Sequence, residues 1–90
     1  MIDTNTERTE DAQGLANSVQ HLIRMMVKDP DNAFVNITHL NNTILFEIEV
    51  SDSDKGIIIG RGGKMILCLR HLITSIASKL KIRCYVEIKE

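Results

Sequence analysis

Gly60-Arg61-Gly62-Gly63-Lys64 is the segment of this 90-residue sequence best suited to chemistry. Glycine lets a ligand's backbone approach with no Cβ in the way. Where a glycine loop opens a helix, its N–H groups and the helix dipole together attract an anion. Arg61 and Lys64 add positive charge at the same place. Two phosphate-binding patterns fail on these residues. A P-loop needs Gly, four residues, then Gly-Lys-Ser/Thr, whereas Ile58 holds the first of those positions and Met65 the last. A dinucleotide fingerprint, Gly-x-Gly-x-x-Gly, begins well at Gly60 and Gly62 but ends on Met65, in a chain too short for the fold that uses it. No side chain is placed as a nucleophile beside a base, so catalysis is not expected. The three His and two Cys show no metal-ligand spacing.

Charge points the same way as the loop. The formal net charge is −1, but residues 1–54 carry three basic side chains against ten acidic ones, and residues 55–90 carry eight against two. Such asymmetry suggests that one face meets a polyanion. Ninety residues make about one domain, and 43% hydrophobic with 26% charged residues is ordinary for a folded chain. Several domains and wholesale disorder are both excluded. Phe34, Phe46 and Tyr85 are the only aromatic residues, which argues against modules that read single strands by aromatic stacking. The polar start, Met1-Ile2-Asp3-Thr4-Asn5-Thr6-Glu7, lacks the apolar stretch of a signal peptide, and runs such as Met65-Ile66-Leu67-Cys68-Leu69 are too short to span a bilayer. No membrane association is expected, and Cys68 and Cys84 read as two buried thiols of a reducing cytoplasm.

The elements that must position the loop follow from periodicity. Residues 1–13 show no apolar period and read as a flexible polar tail, leaving 14–90 as the folded domain. Leu15, Val19, Leu22, Ile23 and Met26 form one helical face that ends before Pro30. Ala33 to Leu40 and Ile44 to Val50 read as two strands joined by Asn41-Asn42-Thr43, a turn suited to a tight hairpin. Ile44, Phe46, Ile48 and Val50 share one face and Glu47 and Glu49 the other, so one face of the sheet is buried. Ser51-Asp52-Ser53-Asp54 is rich in capping residues and opens a short helix toward Ile59. After the glycine loop, Ile66, Leu69, Ile73, Ile76, Ala77 and Leu80 mark the longest helix, and Ile82 to Ile88 alternates as a last strand. The long helix has more apolar residues than one core needs, and the excess suits a dimer interface.

Ile58-Ile59-Gly60-Arg61-Gly62-Gly63-Lys64-Met65-Ile66 fits the KH pattern, Ile/Val-Ile-Gly-x-x-Gly-x-x-Ile, between two helices as a KH loop requires. From about Leu15 to Glu90 the chain resembles the small bacterial single-KH RNA-binding proteins of the KhpA type. The matching stretches are residues 24–30, residues 54–64 and Val86-Glu87-Ile88. The resemblance implies an α+β type II KH domain, α-β-β-α-α-β, with a three-stranded mixed sheet and its helices on one face. It implies a clamp on the backbone of single-stranded RNA, with contacts from Lys55, Ile58, Ile59, Gly60, Arg61, Gly62, Gly63 and Lys64. Bases would lie in an aliphatic groove between Ile57, Ile58 and the sheet edge, where the last strand follows the basic turn Lys79-Leu80-Lys81. It also implies a cytoplasmic RNA chaperone or post-transcriptional regulator without cofactor, linked to cell elongation, acting as a homodimer or with a larger KhpB-type KH protein. Gly62 departs from the polar residue usual at its position, which should loosen the loop. A KH-like adaptor without RNA binding stays open, favoured by the acidic first half.

Overall fold

β2, Thr43–Glu49, is the axis of the fold. Its alternation buries Ile44, Phe46 and Ile48 and leaves Leu45, Glu47 and Glu49 partly open to solvent, so only one face of the sheet is covered. β1, Phe34–Leu40, pairs with it antiparallel, Ile37 opposite Phe46. The hairpin closes at Asn41-Asn42, where Asn41 has φ 53°, a value that asparagine tolerates. β3, Cys84–Ile88, runs parallel to β2 on its other side, Val86 opposite Phe46, giving the order β1-β2-β3. A parallel neighbour demands a crossover, and here the crossover consists of α2, Lys55–Ile59, and α3, Lys64–Lys79. The computed structural model describes the backbone of residues 4–90 and the side chains of residues 8–90. Its order of elements and mixed sheet are those of a type II KH fold.

The N-terminal helix differs from the sequence expectation. α1 spans Thr4–Met26, so residues 4–13, expected as a flexible tail, are helical, and the expected boundary at residue 14 falls inside a continuous helix. Residues 1–3 lie outside the described residues. The reason is that an amphipathic segment, once packed, propagates cheaply through ordinary polar residues. Ala12 extends the buried stripe of Leu15, Ala16, Val19 and Ile23 by one turn, although it is too small to make a period conspicuous. Leu22, expected on the buried face, is 42% exposed. α1 is tied to the start of β1 by polar side chains. Arg24 Nε donates to the Ala33 carbonyl at 2.8 Å, its guanidinium lies 5.2 Å from the Phe34 ring centroid, and Val35 N–H donates to Gln20 Oε1 at 3.0 Å.

Among the described residues one polar side chain is fully buried. Asp54 was expected to help cap the short helix, but no side chain caps α2. Its carboxylate accepts instead from the backbone N–H groups of Lys28 at 3.1 Å and Asp29 at 3.0 Å, just beyond α1. A second layer surrounds this clasp: Ser51 Oγ donates to Asp29 Oδ2 at 2.7 Å, and Asn32 Nδ2 donates to the same oxygen at 2.7 Å. The Ser51 hydrogen bond, and then that from Asn32, hold the Asp29 carboxyl below its ordinary value of 3.8.

Asp54→Ala removes the acceptor of two backbone N–H groups and leaves a void behind α2. The expected cost is about 2 kcal/mol, equivalent to a fall in melting temperature of about 8–16 °C for a domain of this size, read by circular dichroism. A melt unchanged from wild type would show that the clasp contributes nothing.

Candidate nucleic-acid interface

The turn of the glycine loop is closed by backbone hydrogen bonds. α2 ends as Gly60 N–H donates to the Gly56 carbonyl at 2.9 Å, and Gly63 N–H closes a tight turn onto the Gly60 carbonyl at 3.2 Å. Gly60, Gly62 and Gly63 all have positive φ, at 76°, 64° and 75°. Gly60 is irreplaceable for a further reason: a Cβ there would lie 2.6 Å from Met65 Cβ and 2.8 Å from the Met65 nitrogen. No atom would crowd a Cβ at Gly62, so its left-handed backbone alone opposes a substitution there.

The loop delivers the chain into the start of α3 with no side-chain cap. The N–H groups of a first helical turn have no acceptor within the helix, and the dipole of a 16-residue helix converges on them. Arg61 and Lys64 are on the surface beside this end. The structure thus brings Gly60, Arg61, Gly62, Gly63 and Lys64 together at one anion-attracting corner. Lys55 stands one helix away, in an ion pair with Asp52 at 3.0 Å. Ile58 is different. It is fully buried in the core and supports the loop from behind, so it offers no surface to a ligand, whereas Ile59 is 40% exposed.

Ile59 opens onto a cleft of about 760 Å³ between the helices and the β3 edge. Lys55, Ile66 and Arg70 form its helical wall, and Ile88, Lys89 and Glu87 stand on the strand side, with Glu47 and Glu90 nearby. The helical wall is basic and the strand wall carries the carboxylates. Arg70 Nε donates to the Val86 carbonyl at 3.2 Å, bridging the two walls. Arg70, Ile66, Ile88 and Lys89 were missed as site residues. The signal for Arg70 was present, because residues four apart share a helix face and Arg70 follows Ile66 by four. The expected basic turn is elsewhere: Lys79-Leu80-Lys81 lies at the C-terminal end of α3, opposite the loop.

Cys68, expected to be buried, is exposed, since it sits on the flank of the stripe formed by Ile66, Leu69 and Ile73. Cys84 is half-buried, and burial raises its thiol pKa. Among the described residues no helix is long and apolar enough to cross a membrane.

A three-stranded mixed sheet, a helical crossover broken by Gly-x-x-Gly and a groove along the outer strand define a single KH domain of type II. The family model for the KhpA/KhpB KH domain matches residues 16–88, and the chain belongs to that family. Similar curated proteins include the RNA-binding protein KhpA of Chlamydia trachomatis, 31% identical over 78% of this chain and 90% of its own length. That of Caldanaerobacter subterraneus is 34% identical over 78% and 93%, and that of Mycobacterium bovis 32% over 72% and 81%. No solved structure matches the chain significantly.

Gly60→Ala combines a left-handed backbone with a clash against Met65 and should cost about 2 kcal/mol or more. Gly62→Ala meets open space and should cost about 1 kcal/mol. Paired thermal melts test the order; equal losses would place the constraint outside the Met65 contact.

Proposed function

We propose that the protein binds single-stranded RNA without catalysing a reaction on it. The carrying observation is the glycine loop at the uncapped start of α3, flanked by Arg61 and Lys64, in a KH-family domain. The Gly62 N–H, left outside the turn bonds that Gly63 and Lys64 make to the Gly60 and Arg61 carbonyls, donates to a phosphate oxygen, and the two cations neutralise the phosphate charge. The strand then runs along the basic helical wall. Its bases turn toward Ile59, Ile66 and Ile88, and Glu87 is placed to accept hydrogen bonds from base amino groups. An aliphatic groove of this kind grips bases by exclusion of water rather than by stacking. The name RNA-binding protein carried by the relatives supports the reading. RNA chaperoning or post-transcriptional control in the cytoplasm, with an effect on cell elongation, belongs to the same proposal.

The proposed assembly is a dimer, either of two copies or with a KhpB-type partner. Met65, Cys68, Leu72 and Ile76 recur along one side of α3, and Met65, Leu72 and Ile76 are 38%, 43% and 38% exposed. A helix that leaves such a stripe uncovered gains by burying it against another chain.

Replacing Arg61→Asp with Gly62→Asp puts two carboxylates where a phosphate must approach. RNA binding in fluorescence anisotropy should be lost at every salt concentration, whereas wild-type affinity should fall with salt by a slope of about −0.7 per neutralised phosphate. The melt should drop by no more than Asp at a left-handed position demands, about 1 kcal/mol. Equal RNA binding by a stably folded variant would remove the loop from the site and favour an adaptor role. Sedimentation at roughly 50 μM should give a dimer that persists in reductant and dissociates in Leu72→Asp. A wild-type monomer, or a dimer released by reductant, counts against association through the stripe.

A further inference from the structure

The opposite end of α3 holds a second cleft, of about 750 Å³, between the start of α1, the β1–β2 turn and the connection from α3 to β3. Arg8, Lys81 and Arg83 line it together with His39, and no carboxylate does so among the described residues. The groove beside the glycine loop has carboxylates opposite its cations; this cleft has cations alone. A helix of 16 residues separates the two by about 24 Å.

The backbone at this cleft is unusual. α3 ends in a Schellman motif: Lys81 N–H donates to the Ser78 carbonyl at 3.0 Å, and Ile82 N–H donates to the Ala77 carbonyl at 2.8 Å. The residue between these bonds is normally glycine, because it must be left-handed. Here it is Lys81, at φ 60°. The only other left-handed residue that is not glycine, among those described, is Asn41, and it lines the same cleft. A lysine at this position is unfavourable to the fold and contributes charge to the cleft. Arg8, on the facing wall, lies in the part of α1 that precedes the family match at residue 16. One wall of the cleft therefore comes from outside the region matched by the family.

We propose that this cleft is a second phosphate site, which takes the backbone of the same RNA strand held at the glycine loop. The inference rests on the RNA-binding reading above. Guanidinium groups from Arg8 and Arg83 suit the geometry of phosphate oxygens, and Lys81 adds a compact charge. The amides of Asn41 and Asn42 stand beside them as neutral donors. A strand long enough to run the length of α3 touches both ends; a short one reaches only the loop.

The test uses the full chain with the double variant Lys81→Gly and Arg8→Gln. Glycine suits the left-handed cap, so the melting temperature should hold or rise. For a strand of about sixteen nucleotides, anisotropy should show affinity reduced several-fold and a salt slope shallower by about 0.7 for each phosphate that is no longer neutralised. A strand of about four nucleotides, the length one KH loop clamps, should bind both proteins alike and shift amide resonances of the loop and its groove, leaving those of Asn41, Asn42 and Arg83 unmoved. Lys81→Arg should retain the long-strand affinity of wild type. If wild type binds both strands and the double variant matches it in affinity and slope, the second site is wrong and the RNA reading stands. If wild type binds neither strand, the reading fails and the second site falls with it.

Discussion

Everything at the glycine loop depends on the carboxylate of Asp54. A five-residue helix such as α2 has no stability of its own. It exists because both its ends are fastened to something larger. At its start, Asp54 grips the chain just beyond α1 through two backbone N–H groups. Near its end, Ile58 is sealed in the core with Phe46, Ile48 and Ile73. Between those anchors α2 is fixed, and just beyond it Gly60 packs against Met65 at the start of α3. The binding corner is thus positioned by a hydrogen-bonded acid about six residues upstream in the chain, which never meets the ligand. The hydrogen bonds of Ser51 and Asn32 to Asp29 add a second set of ties at the same junction.

α3 carries this order to the far side of the molecule. It buries Ile66, Leu69, Ile73 and Ala77 against the sheet and α1. Its two ends are chemically unlike. The first turn offers N–H groups and is entered from glycines; the last turn carries Lys79 and is closed by Lys81. Cations near a helix C-terminus interact well with the dipole there, so positive charge at that end is compatible with the helix that bears it. The result is a basic residue set at both poles of one rigid rod, while the acidic residues of the first half lie mostly on other elements.

The parts of this fold that repeat were readable in the sequence. β2 alternates so regularly that its buried face could be named residue by residue, and α3 showed most of its stripe, although Ile76, expected in it, is 38% exposed and the helix ends at Lys79, one residue short of the expected Leu80. The glycine loop was legible because its spacing is unusual and its apolar flanks are specific. What escaped was whatever depends on distant partners. Residues 4–13 have no strong period, and only packing of Ala12 beside Leu15 reveals why they are helical. Asp54 carries a capping residue's identity, but its partners are 25 and 26 positions away. Ile58 and Ile59 look alike in sequence; a single step of about 100° on a helix sends one to the core and the other to the groove. Lys81 looked like part of the binding groove because proximity to β3 in sequence does not say which end of β3 is meant.

The sheet has two outer edges, and an unpaired edge is a template on which another chain can extend the sheet. Each edge here receives one helical side chain. On β1, Gln20 satisfies the N–H of Val35; on β3, Arg70 satisfies the carbonyl of Val86. Val35 is the second residue of β1 and Val86 the middle residue of β3. An incoming strand would have to displace these side chains before it could pair along either edge.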